Sequence, residues 1–108
     1  MRIRNLAAGL GIAAAIALVA PAATAFADVW DGGLQNCTPH QTGVSRAYST
    51  GSTNHVAPGG GVATFTNGAI WKVTTKSSNV AGGGYWTVST NGALDDPETY
   101  AYCINGTP

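Results

Sequence analysis

Tyr85-Trp86-Thr87-Val88-Ser89-Thr90-Asn91-Gly92 is the stretch whose reading decides the fold. Side chains of an extended chain alternate between two faces, so Trp86 and Val88 point together and Tyr85, Thr87 and Ser89 point the other way. Asn91-Gly92 then supplies the two residue types that accept the positive φ of a type I′ turn. A strand over residues 85–90 closed by a turn is the direct reading. Twenty-four positions earlier, Thr66-Asn67-Gly68-Ala69-Ile70 nearly repeats Thr90-Asn91-Gly92-Ala93-Leu94. The repeat predicts two hairpin turns of the same chemistry rather than a duplicated binding loop.

Further strands follow outward from these turns. Residues 44–50 place Val44 and Tyr48 on one face and Ala47 on the other. Residues 62–66 form a second candidate. Residues 69–76 put Trp71 and Val73 opposite Lys72, Thr74 and Lys76, and residues 99–104 close the chain. After Asp28 no stretch sustains a 3.6-residue apolar period. Short strands between regular turn signals predict an all-β domain, a small antiparallel β-sandwich or a small barrel.

The first 27 residues stand apart. Arg2 and Arg4 precede an apolar run that begins at Leu6, and Ala25-Phe26-Ala27 offers the small residues that a signal peptidase reads. Pro21 interrupts the run and no basic stop signal follows, which argues against a membrane anchor. Residues 1–27 are therefore expected to be a cleaved secretory signal, with no membrane span left after cleavage. Residues 28–108 are expected to be a single secreted β domain and a monomer.

In that domain Cys37 and Cys103 are the only cysteines, so one intramolecular bridge is possible. An exported domain of this size uses such a bridge to supplement a small core. The core is indeed thin, with 12 Leu, Ile, Val and Phe after residue 27. Trp30, Trp71 and Trp86 are expected to fill it. With Cys103 and Ala101 on the buried face of the last strand, Tyr100, Tyr102 and Ile104 should look outward.

Charge excludes several classes of function. The whole chain balances 5 basic against 5 acidic residues. The exported part retains Arg46, Lys72 and Lys76 against Asp28, Asp31, Asp95, Asp96 and Glu98. A slightly acidic chain cannot neutralise a run of phosphates, so neither nucleic acid nor an anionic membrane is an expected partner.

Catalytic and metal motifs are missing at the level of sequence. No nucleophile elbow, zinc helix, phosphate loop or dinucleotide fingerprint occurs. His40 and His55 lie on polar segments and are expected to be solvated or turn residues. Asp95-Asp96-Pro97-Glu98 has the oxygen ligands of a calcium loop but the order of an ordinary turn. Gly59-Gly60-Gly61 and Gly82-Gly83-Gly84 open no helix and read as flexible loops. Asn36-Cys37-Thr38 and Asn105-Gly106-Thr107 match the glycosylation pattern. No cofactor, no bound metal and no enzymatic activity are expected. Tyr85, Tyr100 and Tyr102 are the candidate binding surface, able to stack on a partner or a glycan.

Trp30 to Gly33, Val44 to Ser49 with His55 after it, Gly83 to Ser89, and Tyr100 to Cys103 carry a resemblance. In these segments the chain resembles small secreted β-sandwich proteins of actinobacteria, and in part the lactococcin 972 family of bacteriocins. The resemblance touches under half of the exported part, and Cys37 and the scarcity of histidine depart from it. It implies a β-sandwich that antagonises neighbouring cells by interfering with cell-wall synthesis, and it assigns that role to no residue. The resulting expectation is an exported, non-enzymatic protein that binds an extracellular or cell-envelope ligand. A structural envelope or spore-surface protein, or a small secreted inhibitor or carbohydrate binder, is the alternative.

Overall fold

The structure is a computed structural model that describes residues 28–108; the expected secretory signal lies outside the described residues. Seven strands form two antiparallel sheets: β1 (Val29–Asn36), β2 (Gln41–Ser49), β3 (Ser52–Val56), β4 (Val62–Thr66), β5 (Lys72–Ala81), β6 (Gly83–Thr90) and β7 (Tyr100–Asn105). One sheet has four strands in the order β1-β6-β3-β4, and the other has three in the order β5-β2-β7. The expected all-β sandwich with one disulfide is the observed fold.

The Cys37–Cys103 bridge spans the two sheets, from the end of β1 to β7, with a Cα–Cα distance of 5.8 Å. Gly43 in β2 makes room beside it. A Cβ there would lie 2.5 Å from the Cβ of Pro58 and 3.6 Å from the Sγ of Cys37.

Only β3 and β4 are sequence neighbours that pair within one sheet. The two Asn-Gly turns are not hairpins. Asn67-Gly68 carries the chain from β4 in the larger sheet to β5 in the smaller, and Asn91-Gly92 carries it from β6 towards β7 in the same direction. The repeated pentapeptide makes two equivalent crossovers, both held against the β2–β3 corner. Gly51 N donates to the Gly68 carbonyl and Asn67 N donates to the Gly51 carbonyl. On the other side, Thr50 N donates to the Ala93 carbonyl and Ser52 N donates to the Oδ1 of Asn91. Local turn chemistry is the same in a hairpin and a crossover; the partner of the next strand is set by distant contacts.

Two strands were not legible in the sequence. β1 contains Asp31-Gly32-Gly33, a poor strand composition. Gly32 nevertheless fits there because a Cβ would lie 2.6 Å from the Trp86 carbonyl oxygen, so its bareness lets β1 and β6 approach. β3 reads Ser-Thr-Asn-His-Val, in which polar residues face inward.

Among the described residues the central cluster is Ala47, Trp86 and Val88, with Leu94 and Ala101 packed against it. Trp30 is buried but lies outside that cluster, and Trp71 is 43% exposed. The expectation that all three tryptophans fill one core is therefore corrected. Pairing of Thr74 with Ala47 and of Val73 with Tyr48 turns the polar face of β5 inward and its apolar face outward.

The glycine triplets are also not free loops. Gly59 N donates to the Tyr85 carbonyl, and a Cβ on Gly84 would lie 2.7 Å from the Cα of Gly59. The two runs pack backbone to backbone. Gly83 has φ +81° and an added Cβ would overlap the Gln35 carbonyl, whereas Gly82 has φ +96° with open space around it. Gly82→Ala should cost about 1–3 kcal/mol from backbone strain alone. Gly83→Ala should cost more than Gly82→Ala, because steric overlap adds to the same strain. Equal midpoints for the two variants in urea unfolding would refute that account.

Candidate functional site

The interior of the sandwich is polar at its centre. β2 and β3 face one another across the two sheets, and inward parity brings Ser45 and Ser49 against His55 and Thr53. His55 is 1% exposed, and its Nδ1 lies 2.7 Å from the Oγ of Ser45. Its Nε2 lies 2.8 Å from the Oγ1 of Thr74 on β5. The hydroxyls of Ser49 and Thr53 are 2.7 Å apart, and Asn67 Nδ2 donates to the Ser49 carbonyl. No buried side-chain nitrogen or oxygen among the described residues lacks a partner. The expectation of a solvated or turn His55 is overturned; only His40 lies exposed in a turn.

Burial lowers the His55 pKa to about 4, so its imidazole is neutral at pH 7. A neutral ring donates through one nitrogen and accepts through the other, and two hydroxyls, which can do either, satisfy both. The imidazole and the Phe65 ring meet in a T-shaped contact, with centroids 5.3 Å apart at 76°.

Ser45 and His55 have the contact of a nucleophile and its base, but their surroundings differ from those of a hydrolase. Ser45 is fully buried, and the second nitrogen of His55 meets Thr74 instead of a carboxylate. Asp31 pairs with Val88, which pairs with His55, so the backbones of Asp31 and His55 lie two strand spacings, about 10 Å, apart. The arrangement satisfies the buried hydroxyls and the imidazole of the interior with one another.

The outer face of the three-stranded sheet has the opposite character. Register places Arg46 opposite Tyr100, and Val44 opposite Tyr102. Tyr48 and Trp71 stack at 5.1 Å and 34°, and Tyr100 and Tyr102 pack at 6.0 Å and 56°. Arg46 links the two pairs along β2. Its guanidinium carbon lies 5.3 Å from the centre of the Tyr100 ring, and its Nη2 donates to the Glu98 carboxylate at 2.8 Å.

Of the three candidate tyrosines the structure brings two together. Tyr100 and Tyr102 adjoin on the outer face of β7, whereas Tyr85 points outward from β6 in the other sheet. Inward Trp86 and inward Ala101 fix these opposite directions. Tyr85 is 72% exposed and belongs to the opposite side of the sandwich. Sequence reasoning missed Arg46, Tyr48 and Trp71 as neighbours of the tyrosine pair. The available signal was parity: Tyr48 opposes Ala47, and Trp71 opposes Thr74.

The acidic segment forms a closed turn. Asp95 accepts from the Glu98 N–H through Oδ1, and its carbonyl accepts from the Thr99 hydroxyl. Glu98 is committed to Arg46. Among the described residues no three His, Cys, Asp or Glu side chains gather to hold a metal ion. No helix of the described residues is long and apolar enough to cross a membrane.

The fold and this face define a class: a small disulfide-bridged antiparallel β-sandwich with a polar interior and an aromatic outer sheet. No protein-family model, curated protein or solved structure matches the chain.

Proposed function

We propose that this chain is an exported protein that acts by binding, not by catalysis, and that its working surface is the outer face of β5-β2-β7. One observation carries the reading: the polarity of the sandwich is inverted there. Aromatic rings that a thin core could use are spent on an outward face, while Ser45, His55 and Thr74 occupy the inside. Tyr and Trp with Arg are the residues enriched at the energetic centres of interfaces, and here Tyr48, Tyr100, Tyr102 and Arg46 sit on strands of one sheet with Trp71 directly before β5. The expected secretory segment and the disulfide support a ligand outside the cell or in the envelope. Antagonism of neighbouring bacteria is the concrete form suggested by the resemblance to lactococcin 972 proteins.

The test uses protein purified from culture medium, labelled and applied to cells and lawns of related bacteria. Tyr100→Ala and Tyr102→Ala should each leave the melting temperature within a few degrees of the parent and weaken cell association several-fold. Full association in both variants would refute the surface. A large fall in melting temperature would show that the rings serve packing.

A further inference from the structure

Resting on that reading of the face, we propose that its ligand is an uncharged β-linked polysaccharide, held by stacking on the Trp71–Tyr48 and Tyr100–Tyr102 pairs. Three features of the face select this chemistry.

The first is charge. Arg46 is the cation on this strip, and the Glu98 carboxylate 2.8 Å away neutralises it. Lys72 and Lys76 fall on the opposite parity of β5, so phosphates, anionic lipids and acidic peptides would meet on this face a cation that is already paired. A neutral ligand with hydroxyls, however, can use the Arg46–Glu98 pair as adjoining donor and acceptor.

The second is area. β7 has six residues, which gives a length of about 20 Å, and three strands are roughly 10–15 Å across. The tyrosine end of the face is therefore a strip about 20 Å long and roughly 10–15 Å wide, long enough for a few sugar rings laid end to end. A short chain of sugars fits along such a strip.

The third is the chemistry of the lining. Rings alternate with hydroxyl-bearing positions: Thr75 lies beside Arg46 and Ser77 beside Val44, across the sheet from Tyr100 and Tyr102. β-Linked pyranoses with equatorial hydroxyls present flat C–H faces to aromatic rings and hydroxyls at their edges. Lipid chains would gain nothing from the second set of groups. Because Tyr48, Tyr100 and Tyr102 rest on strands and Trp71 directly precedes β5, little side-chain freedom is lost on binding.

The experiment retains the secreted protein on insoluble cellulose and chitin, and titrates it with their soluble oligosaccharides while following tryptophan fluorescence. Saturable binding is expected to at least one of the two, insensitive to salt because no net charge is engaged. Trp71→Ala and Tyr100→Ala should each weaken it about tenfold or more, the loss of roughly one stacked ring. Tyr85→Ala, on the opposite sheet, should leave it unchanged. No retention on either polysaccharide, equal loss with Tyr85→Ala, or binding to anionic vesicles that salt abolishes would overturn the ligand class. The two proposals fail separately: cell association lost in Tyr100→Ala without any polysaccharide binding keeps the face and discards the sugar. Cell association intact in the same variant discards the face itself.

Discussion

Cys37→Ala or Cys103→Ala is expected to lower the melting temperature by roughly 20 °C. The bridge joins residues 66 apart, and the chain-entropy account values such a loop at roughly 4 kcal/mol. In a domain of this size each kcal/mol moves the transition by about 4–8 °C. The structure gives the constraint its importance. β1 and β7 lie in different sheets, and among the described residues the central cluster is the small set Ala47, Trp86 and Val88 with Leu94 and Ala101. Few apolar contacts would hold the layers together once the cross-link is gone. Calorimetry of the oxidised and reduced protein checks this, and identical transitions would mean that the small cluster suffices.

Acid is the second large effect. The His55 pKa falls from 6.5 to about 4 in the folded protein because burial disfavours the charged ring. Above pH 6.5 the imidazole is neutral in both states and the stability is fully present. Between pH 6.5 and 4 the unfolded chain binds the proton and the folded one does not, so stability falls as pH falls. Across that window the loss is about 3 kcal/mol. Urea unfolding at a series of pH values should show this decline, and a flat profile would contradict the buried neutral ring. His55→Leu should abolish the decline in that window. It should also destabilise the protein at neutral pH, because the hydroxyls of Ser45 and Thr74 lose their shared partner.

The same residue shows where sequence reading stops. Thr53 and His55 alternate with Ser52 and Asn54, and no hydrophobic contrast marks which face of that segment is buried. Polar residues become interior only when partners arrive from elsewhere: Ser49 for Thr53, and Ser45 with Thr74 for His55. Those partners come from β2 and β5, in the other sheet. The residues 69–76 illustrate the same limit. Their alternation was legible, but it took pairing with β2 to turn Thr74 inward beside His55 and leave Val73 and Trp71 outside.

Alternation and composition alone determined the all-β class, the positions of five strands and the single possible disulfide, because period-two patterning and a count of two cysteines are local or combinatorial facts. They also determined that Ala101 and Cys103 oppose Tyr100 and Tyr102. Tertiary structure decided the remainder: that both Asn-Gly turns cross between sheets, that the glycine runs pack together, and that Arg46, Tyr48 and Trp71 join the tyrosine pair while Tyr85 does not. Each depends on which strands are neighbours, and strand order is fixed by contacts between residues far apart in the chain, which no local pattern encodes.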